Sequence, residues 1–459
     1  MTIASLLLFV VVCLTALYIP AVQDFVVPRV LALISSEDMA VSVEHFRLKF
    51  PLDINVRGVE VMQKGDTMLM AGDAHVSVSP LPLLGGRVKA GTISLSDVYY
   101  KSGTPDSASY IRARVSHAAL MNAGVGLKEQ LVDVDNIMLS GGNIRIALRN
   151  DTMPPSPPSA PATWKILGKK ISLGDIDFDM TMTDTGDSIG ARLDNFTLLN
   201  GAIDLGAHTV KIEDVKIDGI GGRYITGSGT TYENAVSESV VPAATDTVPT
   251  DTVPWSIRVD HLSLDNGRAL YAAAGAVPKP GLDMQYIDLN SLTVEVDSFY
   301  NRGPEMRVPL KKLSASERSG LQLYGNGLFA MNADEIEAKD FNLRTLASVI
   351  NVDATYGMKS PDAPLSVTLK ADVDPLDVKM AFPSLGQTIA MMPQHRKLTV
   401  DVEADGSLSD LRIADAGLKM RNYFDVRLAG KVRNITDFNN ASGHIDIDGD
   451  FNDINFIKP

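Results

Sequence analysis

From Val41 onward the chain keeps returning to one eight-residue phrase, apolar-x-apolar-polar-polar-apolar-x-apolar, whose fifth place is usually Asp, Asn, Gly or His. Copies begin at Val41 (VSVEHFRL), Ile54 (INVRGVEV), Ile93 (ISLSDVYY), Val132 (VDVDNIML), Ile171 (ISLGDIDF) and Ala191 (ARLDNFTL). Others begin at Val210 (VKIEDVKI), Ile257 (IRVDHLSL), Ile287 (IDLNSLTV), Ile336 (IEAKDFNL) and, degenerate, at Leu411 (LRIADAGL). Each half alternates with period two, the pattern of a strand with one apolar face. The two polar residues in the middle shift the alternation by one. Both halves face the same way only if a bulge or bend absorbs an extra residue there. Asp, Asn and Gly suit such a site because they tolerate unusual backbone angles and bond their own main chain. The spacing between copies varies, which excludes a solenoid of fixed period.

Helical periodicity is scarce. Leu120 to Asp133 is ambiguous, and Asp340 to Asn351 (DFNLRTLASVIN) has the spacing of one short helix. The rest predicts an all-β protein, mostly antiparallel sheet. Two segments interrupt the pattern, a proline-rich insert at 151–163 and a second at 232–254 that ends in a tandem TDTVP. Both read as exposed, mobile hairpin-tip insertions, in preference to a proline-rich signalling ligand.

At about fourteen residues per strand and turn, roughly thirty strands fit into the chain after its first segment. Open twisted sheets of that size curl or split. Separate sandwiches would need composition breaks that are not obvious apart from the two inserts. An outer-membrane barrel would face lipid outside and hold a polar lumen. The expectation is one elongated β-groove over 36–459, a long curled antiparallel sheet (β-taco) extending on the order of 140 Å. Its apolar lining would face its own interior, with room for a greasy guest.

Residues 1–35 differ. Ile3 to Ile19 is free of charge, at the lower limit of what crosses a bilayer as a helix, and is expected to be a single-pass membrane anchor. The competing reading, a cleaved secretory signal, lacks a basic n-region and a small-x-small site before Pro20. Val12 before Cys13 speaks against lipidation. Asp24 to Ile34 is expected to form a short juxtamembrane helix; the alternative is a plain connector.

Composition narrows the partners. An apolar fraction of 45% with 21% charged residues excludes a disordered tail. The balance of 42 basic against 56 acidic residues, net −14, excludes nucleic acid, which needs clustered cations. The lone Cys13 rules out an intramolecular disulfide.

Chemical motifs do not hold up against their context. GDSIG at 186–190 spells a nucleophile elbow, but that motif needs a strand before it and a helix after it, so Ser188 reads as a hairpin-turn residue. GNGLFA at 325–330 partly spells a dinucleotide fingerprint without a βαβ unit and reads as a turn. His45, His75, His117, His208, His261, His395 and His444 are scattered without ligand spacing. Asp446, Asp448 and Asp450 alternate, but Phe451 stands where a calcium loop needs glycine. No catalytic residue, cofactor or metal is expected.

The stretch from Glu44 to Tyr100, with EHFRLKFPLDINVRGVEV and GDTMLMAGDAHVSVSPLPLLGGRVKAGTISLSDVYY, follows an apolar segment and YIPAVQDF. Together with the closing DFNDINFIKP it resembles the N-terminal region of the TamB family of translocation and assembly module subunits in the form found in Bacteroidetes. The resemblance implies the AsmA-like group, related in architecture to bridge-like lipid transfer proteins. It further implies an inner-membrane anchor through residues 3–19, a β-groove in the periplasm and movement of phospholipid toward the outer membrane. The implied partner is an Omp85-type outer-membrane barrel, met through a C-terminal region that this sequence lacks. The group offers no catalytic residues to carry over.

The expected groove lining comprises Val41, Val43, Phe46, Leu48, Ile93, Leu95, Val98, Ile171, Leu173, Ile176, Ile257, Val259, Leu262 and Leu264. Two other readings compete with a lipid conduit. One is a chaperone-like factor that offers sheet edges to outer-membrane proteins by β-augmentation; the other is a passive stalk with a filled interior.

Overall fold

A computed structural model describes residues 15–453 except 17, 37, 84, 104–108, 149–162, 228–252, 361, 394–395 and 436–439. By its contacts the chain divides into two units, residues 1–241 and 242–459.

The first unit begins with helix α1 (Pro20–Ile34), followed by strands β1 (Met39–Lys49), β2 (Asp53–Gln63) and β3 (Asp66–Val78). A single turn of helix, α2 (Pro80–Leu83), leads to β4 (Arg87–Ser102), β5 (Ser109–Gly126), β6 (Leu131–Leu148), β7 (Lys165–Met182), β8 (Ser188–Asp204) and β9 (Thr209–Ile225). Each strand pairs with the next in sequence, and all these pairings are antiparallel except β6 with β7. That pair runs parallel, with Leu131 opposite Lys165 and Leu148 opposite Met182. The connection holding the proline-rich insert is therefore a crossover, which corrects the hairpin-tip expectation: a parallel pair requires the chain to return to its starting end. The second insert lies almost wholly outside the described residues.

The second unit holds β10 (Ser256–Ala272), β11 (Tyr286–Arg302), β12 (Glu305–Glu317), β13 (Gln322–Met331), β14 (Glu335–Arg344), β15 (Val349–Gly357) and β16 (Leu365–Val373). Helix α3 (Pro375–Ala381), a 3-10 turn (Pro383–Leu385) and α4 (Gly386–Met391) precede β17 (Leu398–Gly406), β18 (Asp410–Met420), β19 (Phe424–Arg433) and β20 (Ser442–Phe451). Its strands form a continuous antiparallel meander.

The all-β expectation is met in its coarse form, with three corrections. Among the described residues there are twenty strands and not roughly thirty, because many run to seventeen or eighteen residues. Asp340 to Asn351 is not a helix: Thr345 donates its N–H to Ser348 O and accepts the N–H of Ser348 at Oγ1 in a tight turn, and the flanks are β14 and β15. GNGLFA lies inside β13, where Gly325 faces Leu313 and Leu343, so it is strand and not turn. Ser188 opens β8 just past the turn from β7, and Asp446, Asp448 and Asp450 lie on an exposed β20.

The bulge expected at the middle of the phrase takes a definite form. Glu44, Gly58, Gly72, Asp97, Ser116, Gly141, Asp175, Asp194 and Gly219 stand at one level across β1 to β9, between paired residues on either side. At this seam each strand turns two consecutive residues outward, so its apolar halves stay on one face. Gly58, Asp97, Gly141, Asp175 and Gly219 have positive φ, and their antiparallel neighbours do not. Glycine is required where the facing side chain covers the backbone: a Cβ on Gly141 would stand 2.5 Å from Ser116 Oγ. A second seam carries Asn122 and Asn200 at positive φ, bonded across it to Asp135 and Glu213.

Among the described residues few large side chains are buried, Met420, Ile389, Leu321, Leu411 and Ile176 being the largest apolar ones. Of eighteen buried apolar residues, nine are alanines. The buried cluster that does form, Ala90, Ala123 and Val134 with Ile93, Leu120, Val132 and Ile137 against it, lies side by side on β4 to β6. It is lateral contact within one sheet face.

Candidate functional site

Register places apolar side chains in unbroken rows. In the first unit one row runs Leu48, Ile54, Val76, Ile93, Leu120, Ile137, Ile171, Leu198, Val215, one residue from each of nine strands. The next row on the same face runs Phe46, Val56, Ala74, Leu95, Ala118, Leu139, Leu173, Phe196, Ile217. Between them in sequence lie residues of the opposite face, and the row beside Phe46 reads His45, Arg57, Asp73, Ser96, His117, Ser140, Gly174, Asn195, Asp218. One face is hydrocarbon from edge to edge and the other is mainly polar, with Ala119, Met121, Met138 and Leu199 as exceptions.

The second unit repeats the device over eleven strands. Leu264, Val294, Leu313, Gly325, Leu343, Ile350, Ala371, Val400, Leu418, Val426 and Gly449 form one row. At about 4.8 Å per strand the rows extend roughly 38 Å in the first unit and 48 Å in the second.

All ten expected lining residues of the first unit fall on this apolar face. Leu48, Ile93 and Ile171 share one row, Phe46, Leu95 and Leu173 the next, and Val41 a further row through Val61, Leu69 and Tyr100. Val98 and Ile176 belong to the row that passes Val115 and Gly142, and Val43 pairs with Val59 at the same level beyond the seam. In the second unit Ile257, Val259, Leu262 and Leu264 lie along β10. Of the fourteen, Ile176 and Val259 are buried and the other twelve are half-exposed.

At the β1 edge the face deepens into a pocket of about 470 Å³ between α1 and the sheet. Val26, Val27, Val30 and Leu31 of the helix face Val43, Phe46, Leu48, Val56 and Val59 across it. The polar residue among them, Gln23, is committed elsewhere. Its Nε2 donates to Leu48 O at 2.8 Å and its Oε1 accepts from Leu48 N at 3.2 Å, so the buried amide stands in for a neighbouring strand at the edge of β1. Outside, Arg47 pairs with Asp24 at 2.7 Å, a surface contact of about 0–1 kcal/mol. The pocket can therefore hold hydrocarbon and has little to bind a headgroup with. Sequence reasoning did not foresee Gln23, whose role exists only once α1 has folded back.

Electrostatics belongs to the polar face. Hydrogen bonds from His75 hold the Asp53 carboxyl below its ordinary value, and Lys169 does the same for Asp135 while its own ammonium is raised. His261, with Lys311, lowers Asp297. Each of these shifts favours the charged form, as expected for cross-strand ion pairs in water rather than for groups tuned to move protons.

No helix among the described residues is long and apolar enough to cross a membrane; the proposed anchor falls almost wholly outside those residues. The helix expected from Asp24 starts earlier, at Pro20. No protein-family model and no curated protein matches the chain. The likeness to TamB proteins thus rests on the strand wording alone.

Proposed function

We propose that this chain is a nonenzymatic lipid conduit: a membrane-anchored β-groove that shields acyl chains and conducts phospholipids between inner and outer membranes. In this reading residues 3–19 anchor it in the inner membrane, the sheet curls as a β-taco in the periplasm, and an Omp85-type barrel is the outer-membrane partner. The observation that carries the reading is the set of partly exposed apolar rows, unbroken over the nine strands of the first unit and interrupted by Gly325 and Gly449 in the second. Such a surface is costly in water at about 25 cal/mol per Å², and contiguous apolar patches mark sites of interaction. Hydrocarbon moving along it exchanges one apolar neighbour for another and breaks no bond, so no catalytic residue is needed.

Leu95→Arg and Leu262→Arg each set a charge among apolar neighbours. Mass spectrometry of organic extracts should find phospholipid on the wild-type protein and little on Leu95→Arg, with transfer between vesicles stopped in both variants and expression near normal. Undiminished transfer in both, or a wild-type protein free of lipid, would refute the conduit.

One observation favours the chaperone-like alternative. All ten residues of β20 are exposed, among them Ile445, Ile447 and Phe451, and among the described residues it pairs with β19 alone. A photocrosslinker at Ile447 that captures outer-membrane protein, with no lipid in the extract, would decide for β-augmentation.

A further inference from the structure

Strands β16 and β17 pair directly, with Val373 opposite Leu398, so a tight turn would join them. The chain instead takes residues 374–397 to build α3, the 3-10 turn and α4. Insertions that the sheet does not need are where function concentrates. This one is firmly seated. Asp374 caps α3 by accepting from Leu376 N, and Asp377 accepts from the hydroxyls of Thr345 and Ser348 in the β14–β15 turn. Ala381 O accepts from Leu282 N at 2.8 Å, which fastens the loop after β10 to the same element.

Despite that seating, large apolar side chains remain in water. Leu376, Phe382, Leu385 and Met391 of the insertion are joined by Leu346 and Met284 from the two segments it bonds, each 45–78% exposed. The local charge is opposite to that of the chain. Against a net −14 overall, residues 374–397 carry Lys379, Arg396 and Lys397 with two acids, the capping Asp374 and Asp377, giving three minus two, or +1. Exposed hydrocarbon flanked by cations on short helices suits the boundary between acyl chains and anionic headgroups.

We propose that the insertion between β16 and β17 is a membrane-docking element for the surface of an anionic phospholipid bilayer. Leu376, Phe382, Leu385 and Met391 enter the acyl boundary, and Lys379, Arg396 and Lys397 neutralise headgroups. The surface comes from the insertion and not from the apolar strand rows, so this inference stands or falls separately from the conduit.

The test uses the full chain in phosphatidylcholine nanodiscs, with Cys13→Ser and Leu385→Cys carrying an environment-sensitive fluorophore. Phosphatidylglycerol vesicles should shift the label to an apolar emission, whereas phosphatidylcholine vesicles should not. Neutralising Lys379, Arg396 and Lys397 to Gln should weaken the response on the order of a hundredfold, about fivefold per cation. A label that stays aqueous with both vesicles overturns the proposal, as does an equal response to both. So does a label already dry before anionic lipid is added, or one that dries as protein concentration rises, which would make the surface a contact between copies of the chain.

Discussion

Gln23 is the clearest place to test how α1 is held over its pocket. Its amide makes two hydrogen bonds to the backbone of Leu48 and is itself buried, while Arg47 with Asp24 and Tyr18 Oη donating to Pro51 O are exposed, and the helix C-cap Ser35 accepts from Val41 N at the far end. Gln23→Leu keeps bulk and removes both bonds, leaving the N–H and C=O of Leu48 facing hydrocarbon. Stranding such groups costs about 1–3 kcal/mol. That cost falls on the docking of α1 and not on the whole fold, because local opening draws on local contacts. Hydrogen exchange should report it as roughly 5- to 150-fold faster exchange at the amides of α1 and Leu48, at tenfold per 1.4 kcal/mol. The amides of β14 and β15 should be unchanged. Exchange in α1 that is the same in Gln23→Leu as in wild type would show that the apolar contacts hold the helix without Gln23.

Gly141→Val should destabilise the first unit by at least about 1–2 kcal/mol, the cost of a left-handed backbone for a residue with a Cβ, with the loss read by urea denaturation and centred by exchange on β5 and β6. His75→Ala removes the hydrogen bond that chiefly depresses Asp53. A depressed carboxylate stabilises the fold above its ordinary 3.8, and that contribution disappears as pH falls through the folded value. An NMR titration should therefore find the Asp53 midpoint moved up toward 3.8 in the variant, with less stability to lose on acidification; an unmoved midpoint would mean that Asn55 supplies the effect.

Period-two alternation is a local signal, which is why the strands and their apolar face could be read from the chain. The fifth place of the phrase marked the left-handed residue at Gly58, Asp97, Asp175, Ser291 and Asp340 but not at His45, Asn136, Asn195, Asp214, His261 or Asp415. The reason is non-local: in an antiparallel pair one strand supplies the positive φ and its neighbour lays the fourth residue of its phrase opposite, as Glu44 does to Gly58 and Asp194 to Asp175. Which strand takes which part depends on pairing. The same holds for the parallel β6–β7 ladder, since both strands carry the same pattern in either direction. Helix α3 was missed although Asp374 followed by Pro375 is a helix-start signal, because seven residues are too few to show a period. Asp340 to Asn351 misled in the opposite sense, its apolar spacing being split by the turn at Thr345.

A sheet whose rows are all hydrocarbon has a hidden weakness: sliding any strand by two residues keeps every side chain on its proper face. Greasiness alone cannot tell the right alignment from the neighbouring wrong one. The line of outward double steps through Glu44, Gly58, Gly72 and Asp97 can, because a displaced strand would set its kink against a straight partner and press a side chain onto backbone that only glycine leaves clear. The polar interruptions in an otherwise repetitive chain thereby act as its alignment marks, and erasing them should yield misaligned sheets before it yields unfolded ones.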